Sequence, residues 1–218
     1  MFADRADAAR QLAQRLAHLK GQNPLMLAVP RGGVPMGRIL SDALDGDLDV
    51  VLVHKLGAPG NPELAIGAVG EDGSMELNEV GRLERLPEGY VEREKADQMA
   101  LLKKRRKRYA EARPPIDPGG RLVVMVDDGA ATGATLLAAL RLVRAHGPAR
   151  LIVALGVAPP DTVEQLNAVA DEVVCLEQPW AFHAVGVWFR DFGQVEDDEV
   201  VALLKAVRRD SGLTAASR

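Results

Sequence analysis

The chain has 218 residues, of which 47% are hydrophobic and 27% charged, and its formal net charge is -4. That apolar share supplies the core of one compact domain and excludes disorder as the main state. The charge excludes the basic field of a dedicated nucleic-acid binder, so any phosphate binding is local. Cys175 is the single cysteine, which excludes an internal disulfide framework and a multi-cysteine zinc site and suits a reducing cytosol.

The first twenty residues alternate acids and bases without an apolar h-region, so neither a signal peptide nor a transit peptide is expected. No apolar run approaches the roughly 20 residues of a membrane span, and a cytoplasmic location is the expectation. Ala9, Leu12, Ala13, Leu16 and Leu19 recur at helical spacing from about 5 to 20, with Gly21 as a stop. Five short runs rich in Val and Leu read as parallel strands buried on both faces: 24 to 30, 48 to 55, 121 to 128, 149 to 158 and 171 to 177. Cys175 falls in the last and reads as a buried small hydrophobe.

Helical patterns fill about 34 to 44, 88 to 112, 134 to 146 and 161 to 169. The alternation predicts an α/β fold, a doubly wound, mainly parallel sheet of about five strands flanked by helices. Residues 56 to 81 carry many Gly and Pro around alternating pieces such as AIGAV and SMELN, which predicts a flap or hairpin. One domain over 1 to 210 and a frayed tail over 211 to 218 complete the organisation.

In such sheets ligands sit beyond the carboxyl ends of the strands, where AVPRGG, VHKLGAPG and VDDGAATG all fall. Asp127 and Asp128 end a strand, and carboxylates there can accept hydrogen bonds from hydroxyls or meet a metal. The following loop, Gly129, Ala130, Ala131, Thr132, Gly133, Ala134 and Thr135, has small side chains, so its N–H groups can close around an anion at the start of the next helix. Together these features predict a sugar phosphate, with its diol on the acids and its phosphate in the loop. No Lys follows the last glycine as in a Walker loop, and G-x-G-x-x-G is absent. A plain strand-to-helix turn capped by Asp is the bland alternative.

The stretch VVMVDDGAATGAT resembles the 13-residue phosphoribosyl-diphosphate (PRPP) motif of the type I phosphoribosyltransferases, and the whole chain is similar to bacterial proteins regarded as predicted phosphoribosyltransferases. The resemblance implies that Asp127 and Asp128 take the ribose 2- and 3-hydroxyls and that Ala130 to Thr135 wrap the 5-phosphate. Ala131 stands where many relatives carry a larger or acidic residue, which a loop acting through main-chain N–H groups tolerates. The short loop holding Arg31, Gly32 and Gly33 would bind pyrophosphate, with a cis peptide near Arg31 to Gly32. Lys55 would direct its ammonium into the same crevice. His54 is given no chemistry. The 56 to 81 segment would be the flexible flap that closes over the diphosphate. Magnesium would arrive mainly through PRPP and water, with Glu63, Glu71 and Asp72 as undecided contributors.

The segment PWAFHAVGVWFRDF gathers both tryptophans and three of the four phenylalanines. It reads either as a ring-binding wall or as a compact local core. It also loosely resembles a purine phosphoribosyltransferase hood, placed at about 178 to 195 with the N-terminal residues. By that resemblance Trp188 or Phe189 stacks on the base, the backbone near Val185 to Val187 reads its edge, and Asp191 approaches a ring nitrogen. The run KKRRKR, 103 to 108, wraps around a helix, and a solvated surface is favoured over a nucleic-acid or oligomer contact.

The resulting expectation is a magnesium-dependent transfer of ribose 5-phosphate from PRPP to a nitrogenous acceptor such as a nucleobase, by a homodimer. The alternative is a PRPP-sensing regulator without catalysis, with nucleic acid as a candidate partner.

Overall fold

A computed structural model describes residues 1–83 and 86–206, apart from the Glu63 side chain; the expected tail lies outside the described residues. Helix α1 (Arg5–Arg15) begins where Asp4 accepts the Asp7 N–H at 2.7 Å while Asp7 accepts from Ala3 N at 3.0 Å. The first bond satisfies an N–H that a helix start leaves unpaired, and the second ties down the residue that precedes the cap. The helix stops earlier than its periodicity suggests, and a 3-10 turn at Ala17–Leu19 keeps Leu19 fully buried.

Strand β1 (Leu25–Ala28), helix α2 (Gly33–Leu44) and strand β2 (Asp47–Val50) follow. The run 48 to 55, expected as one strand, is divided: its second half belongs to β3 (Val53–Ala58), in another sheet. Val51 N still reaches Ala28 O at 3.0 Å, but Pro30 has no N–H with which to prolong the ladder beside it. β3 pairs antiparallel with β4 (Asn61–Gly70), which pairs with β5 (Met75–Leu77). The expected Gly- and Pro-rich flap is thus mostly a three-stranded sheet. Leu56, Ile66 and Val69 are fully buried at its root, while Pro59 to Pro62 at its tip are exposed.

Helices α3 (Glu79–Leu83) and α4 (Tyr90–Ala110) lead to β6 (Leu122–Gly129), α5 (Ala134–Ala145), β7 (Arg150–Val157), α6 (Pro160–Asn167) and β8 (Glu172–Glu177). A 3-10 turn at Val185–Trp188 precedes α7 (Asp197–Lys205), which the sequence reading did not anticipate. The main sheet has the order β2-β1-β6-β7-β8, and every neighbouring pair is parallel.

Val124 and Val126 of β6 face the cluster built by α1, α2, α4 and α7, whereas Val123 and Met125 face that of α5 and α6. All four are fully buried, as a doubly covered strand requires, each worth about 1.5–3 kcal/mol. β8 has only one neighbour, so Cys175 is half-buried rather than in the core. Burial still pushes its thiol up to about 11, and the Sγ–H donates to Glu177 O at 3.1 Å. Strand order reverses between β1 and β6, whose carboxyl ends therefore border the crevice in which open α/β sheets hold ligands.

Candidate active site

From β1 the chain passes Val29, Pro30 and Arg31 into α2. The Pro30–Arg31 peptide is cis, one bond before the position expected, and Gly32 already has helical dihedrals. The two glycines let α2 start against the end of β6. A Cβ on Gly32 would lie 2.1 Å from Asp128 Oδ2, and one on Gly33 would lie 2.3 Å from Val126 O. Because that carbonyl belongs to a central strand, it has no room to yield. Gly33→Ala should cost about 1–3 kcal/mol or more, read as a lowered urea midpoint with unchanged slope.

Asp127 and Asp128 are neighbours in a strand, so they point to opposite faces of the sheet. Asp128 is buried and leans toward Gly32; Asp127 is half-buried and accepts from Asp128 N at 2.9 Å. Burial, then the charge of Asp128, raises the Asp127 carboxyl well above the ordinary carboxylate range. Burial also raises Asp128, against the hydrogen bond and charge of Arg5. Arg5 had no signal in the sequence. From the first turn of α1 its Nε donates to Asp128 Oδ2 at 2.8 Å and its Nη1 to Gly193 O at 2.7 Å.

The loop after β6 is open on its outer side. Ala131, Thr132, Ala134 and Thr135 are exposed, and among the described residues no acceptor takes the N–H of Ala131, Thr132 or Gly133. Ala130 differs, since its N–H goes to Val157 O at 3.0 Å and is unavailable to an anion. Gly133, at φ +67°, turns the chain into α5 in a conformation that favours glycine. Thr162 of α6, also missed in the sequence, braces the loop through a 2.8 Å bond from Oγ1 to Ala131 O. Free amides at the positive end of a 12-residue helix are an arrangement in which an anion can be held.

Lys55 reaches this region from β3 rather than from the main sheet. It lines a cleft of about 320 Å³ together with Thr132, Ala134, Glu76 and Arg141. Arg31 faces another way, its Nη1 lying 3.6 Å from Glu196 Oε2. The structure thus groups Lys55 with the loop, and Gly32 with Asp128.

The hood joins the N-terminus. Phe2 N donates to Trp188 O at 2.8 Å, Arg190 N to Phe2 O at 3.0 Å and Asp191 N to Ala3 O at 2.9 Å. A Cβ on Gly129 would sit 2.8 Å from Val185 Cγ1, so this segment covers the end of β6. Phe189 is not an open stacking ring. It is 5% exposed, packed between Phe2 and Phe192 at 5.1 and 5.0 Å, because strand-like backbone turns it inward toward Gly156. Trp188 is half-buried, and its buried Nε1 has no partner among the described residues. Asp191 is exposed and accepts from Gly193 N at 3.3 Å.

Glu71 and Asp72 are engaged elsewhere. Both Glu71 oxygens take Arg106, and Asp72 accepts from Ser74 and meets His146 Nε2 at 2.8 Å. They border a cavity of about 600 Å³ over the α5 face that none of the crevice residues lines. The Glu63 side chain lies outside the described residues. Among the described residues no group of three or more His, Cys, Asp or Glu is placed to hold a metal, and no helix is long and apolar enough to cross a membrane. Within KKRRKR, Lys103, Lys104, Arg105 and Lys107 are exposed as expected, while Arg106 and Arg108 form ion pairs with Asp49 and Glu71 and with Asp197 and Asp198.

The fold is a doubly wound α/β domain whose strand order reverses between β1 and β6, the position at which open sheets of this kind hold ligands. A family model described as phosphoribosyl transferase domain matches residues 3–189, and the chain belongs to that family. A Mycobacterium tuberculosis H37Rv protein, provisionally named phosphoribosyl transferase Rv0571c, is 46% identical over 211 residues, covering 96% of this chain and 48% of its own. Its counterpart MT0597 in strain CDC 1551 matches equally. The chain spans about half the length of these curated relatives. The crystal structure of TT1426 from Thermus thermophilus is 49% identical, with a TM-score of 0.85, covering 94% of this chain and 97% of that one.

Proposed function

We propose that the crevice binds PRPP and transfers its ribose 5-phosphate group to a nitrogenous acceptor, a nucleobase in the first instance, releasing pyrophosphate. The observation that carries this reading is the set of free loop amides at Ala131, Thr132 and Gly133 beside the Asp127 and Asp128 carboxylates. An esterified phosphate fits the first and a diol the second. Family membership supports the same chemistry.

In this reading the bond from ribose carbon 1 to the diphosphate oxygen breaks with its electron pair leaving on diphosphate. The acceptor nitrogen forms the new bond to carbon 1 and loses its proton to solvent. Positive charge develops on the sugar as the old bond lengthens, so the protein's work is to position groups and offset charge. Lys55, in the cleft with Thr132, lies on the phosphate side. Arg31 would have to leave Glu196 to reach the diphosphate. Asp127 and Asp128 hold the hydroxyls near the developing charge. Trp188, rather than Phe189, and Asp191 remain on the acceptor side. The tip of the β3–β4 hairpin is the part of the expected flap able to close over them.

Magnesium fits this donor set in a limited way. Two carboxylates, one already bonded to Arg5, offer few oxygens, which suits an ion that keeps waters and binds phosphate oxygens. When bound it would neutralise diphosphate charge.

The test is a screen of purine and pyrimidine bases with PRPP and magnesium, following pyrophosphate release. Release dependent on one base is the expected outcome. PRPP binding measured by calorimetry with no release from any base would favour the sensor, and absence of PRPP binding would end both readings.

A further inference from the structure

Arg5 joins three things that the chain keeps far apart. Its Nε meets Asp128 Oδ2 at 2.8 Å, its Nη1 meets Gly193 O at 2.7 Å, and its guanidinium carbon lies 3.8 Å from the centroid of the Phe192 ring. The side chain is only 13% exposed, and its carboxylate partner 12%. A planar guanidinium can bond in its own plane and stack through its face at once, which an ammonium cannot do. The helix start that carries it is fixed by the Asp4 and Asp7 caps, so its origin is rigid. Phe2 and Phe189 separately hold the N-terminus to the hood.

We infer that Arg5 is the positioning residue that couples the two halves of the crevice, fixing the Asp128 carboxylate on the donor side and the 192–193 backbone on the acceptor side. The functional part of this inference rests on the reading of the crevice as a PRPP site. PRPP is strongly anionic, and two adjacent carboxylates repel it. Arg5 cancels one of those charges and occupies only one oxygen of Asp128, leaving Oδ1 for a hydroxyl. The charged groups that act on Asp128 are Arg5 from α1 and Asp127 from its own strand; the loop after β1 presents the uncharged Gly32. Arg5 therefore links hood and donor acid directly, beside the Phe2 and Ala3 backbone bonds that hold the hood to the N-terminus.

The test uses the full chain with Arg5→Ala, Arg5→Lys and Arg5→Gln. The first readout needs no ligand: carboxyl carbon NMR follows the titration of Asp128, assigned with Asp128→Asn. Arg5→Ala and Arg5→Gln should move the Asp128 step upward by about 1 pH unit or more, and Arg5→Lys should keep most of the original value. The second is hydrogen exchange at Phe189, Arg190 and Asp191, which should quicken in all three variants, Lys included. The third is calorimetry with PRPP, where Arg5→Ala should weaken binding about tenfold or more. An unmoved Asp128 titration, or hood exchange unchanged in Arg5→Lys and Arg5→Gln, overturns the inference. If Arg5→Ala does not fold, the other two variants decide. If both ligand-free readouts behave as stated while the wild type binds no PRPP, the coupling stands and the functional reading fails.

Discussion

On the proposed reading, Asp127→Asn together with Asp128→Asn should weaken PRPP binding in calorimetry by on the order of 10²-fold or more. Each carboxylate would accept a charge-assisted bond from a ribose hydroxyl, worth about 1.5–3 kcal/mol, and an amide oxygen offers the weaker neutral bond. Losing two such bonds weakens affinity by on the order of 10²-fold or more, because each 1.4 kcal/mol is tenfold. The same substitution has an effect of opposite sign on the empty fold. A carboxyl whose value is raised on folding is ionised at a cost above that value, and the cost disappears as pH falls through it. Asp127 is raised by burial first and by Asp128 second. Asp127→Asn alone should therefore raise Tm at pH 8, with the gain shrinking as the pH is lowered. Asn still accepts the Asp128 N–H, so that bond is not lost. Asp128→Asn gains less, since it leaves Arg5 without its anion. Retained PRPP affinity in the double variant would contradict the assignment of both acids, and an unchanged Tm for Asp127→Asn would contradict the raised carboxyl.

Arg106→Ala unfolds the protein more easily by about 3–5 kcal/mol. The Arg106 side chain is 13% exposed and that of Asp49 only 3%. Asp49 sits on β2 among apolar neighbours, where Arg106 Nη1 donates to it at 3.0 Å and Ile116 N at 2.9 Å. Arg106 also binds Glu71 and, through Nη2, Val50 O at 2.8 Å. Removing the guanidinium leaves a buried carboxylate whose remaining partners are neutral N–H groups, and it unties the turn after β4 from β2. Urea unfolding should show the loss in Arg106→Ala and a change within about 0.5 kcal/mol in Lys103→Ala, which is exposed. Arg106→Met combined with Asp49→Asn should recover part of the difference, because the most deeply buried carboxylate is then neutral and only the less buried Glu71 is left without its cation. A full-strength Arg106→Ala protein would mean that the network is not a stability element.

The adjacent acids and the small-residue loop are readable from consecutive residues, because a strand end, a turn and a helix start are local events. The same locality made the β1, β6, β7 and β8 runs and the helices α2, α4, α5 and α6 recognisable, since period and punctuation are properties of short windows. Where a local run met a nonlocal constraint, the reading went astray. The run 48 to 55 looks uniform, yet its pairing with β1 ends at Val51, beside Pro30, which follows β1 and has no N–H to offer. EVVCL has core composition, yet β8 is an edge. Trp188 and Phe189 are adjacent aromatics, and only the backbone pairing with Phe2 decides which of them is core.

The sequence by itself determined that a doubly wound α/β sheet carries two carboxylates and a glycine and threonine loop at one strand end, because hydrophobic period and turn chemistry act over a few residues. Only the tertiary structure decided what those groups meet. Arg5 reaches Asp128 across 123 positions of chain and Thr162 reaches Ala131 across 31, while two arginines of one basic run find acids on β2, the β4–β5 turn and α7. Such partners are chosen by packing, which brings together residues whose own neighbours in the chain give no sign of the meeting.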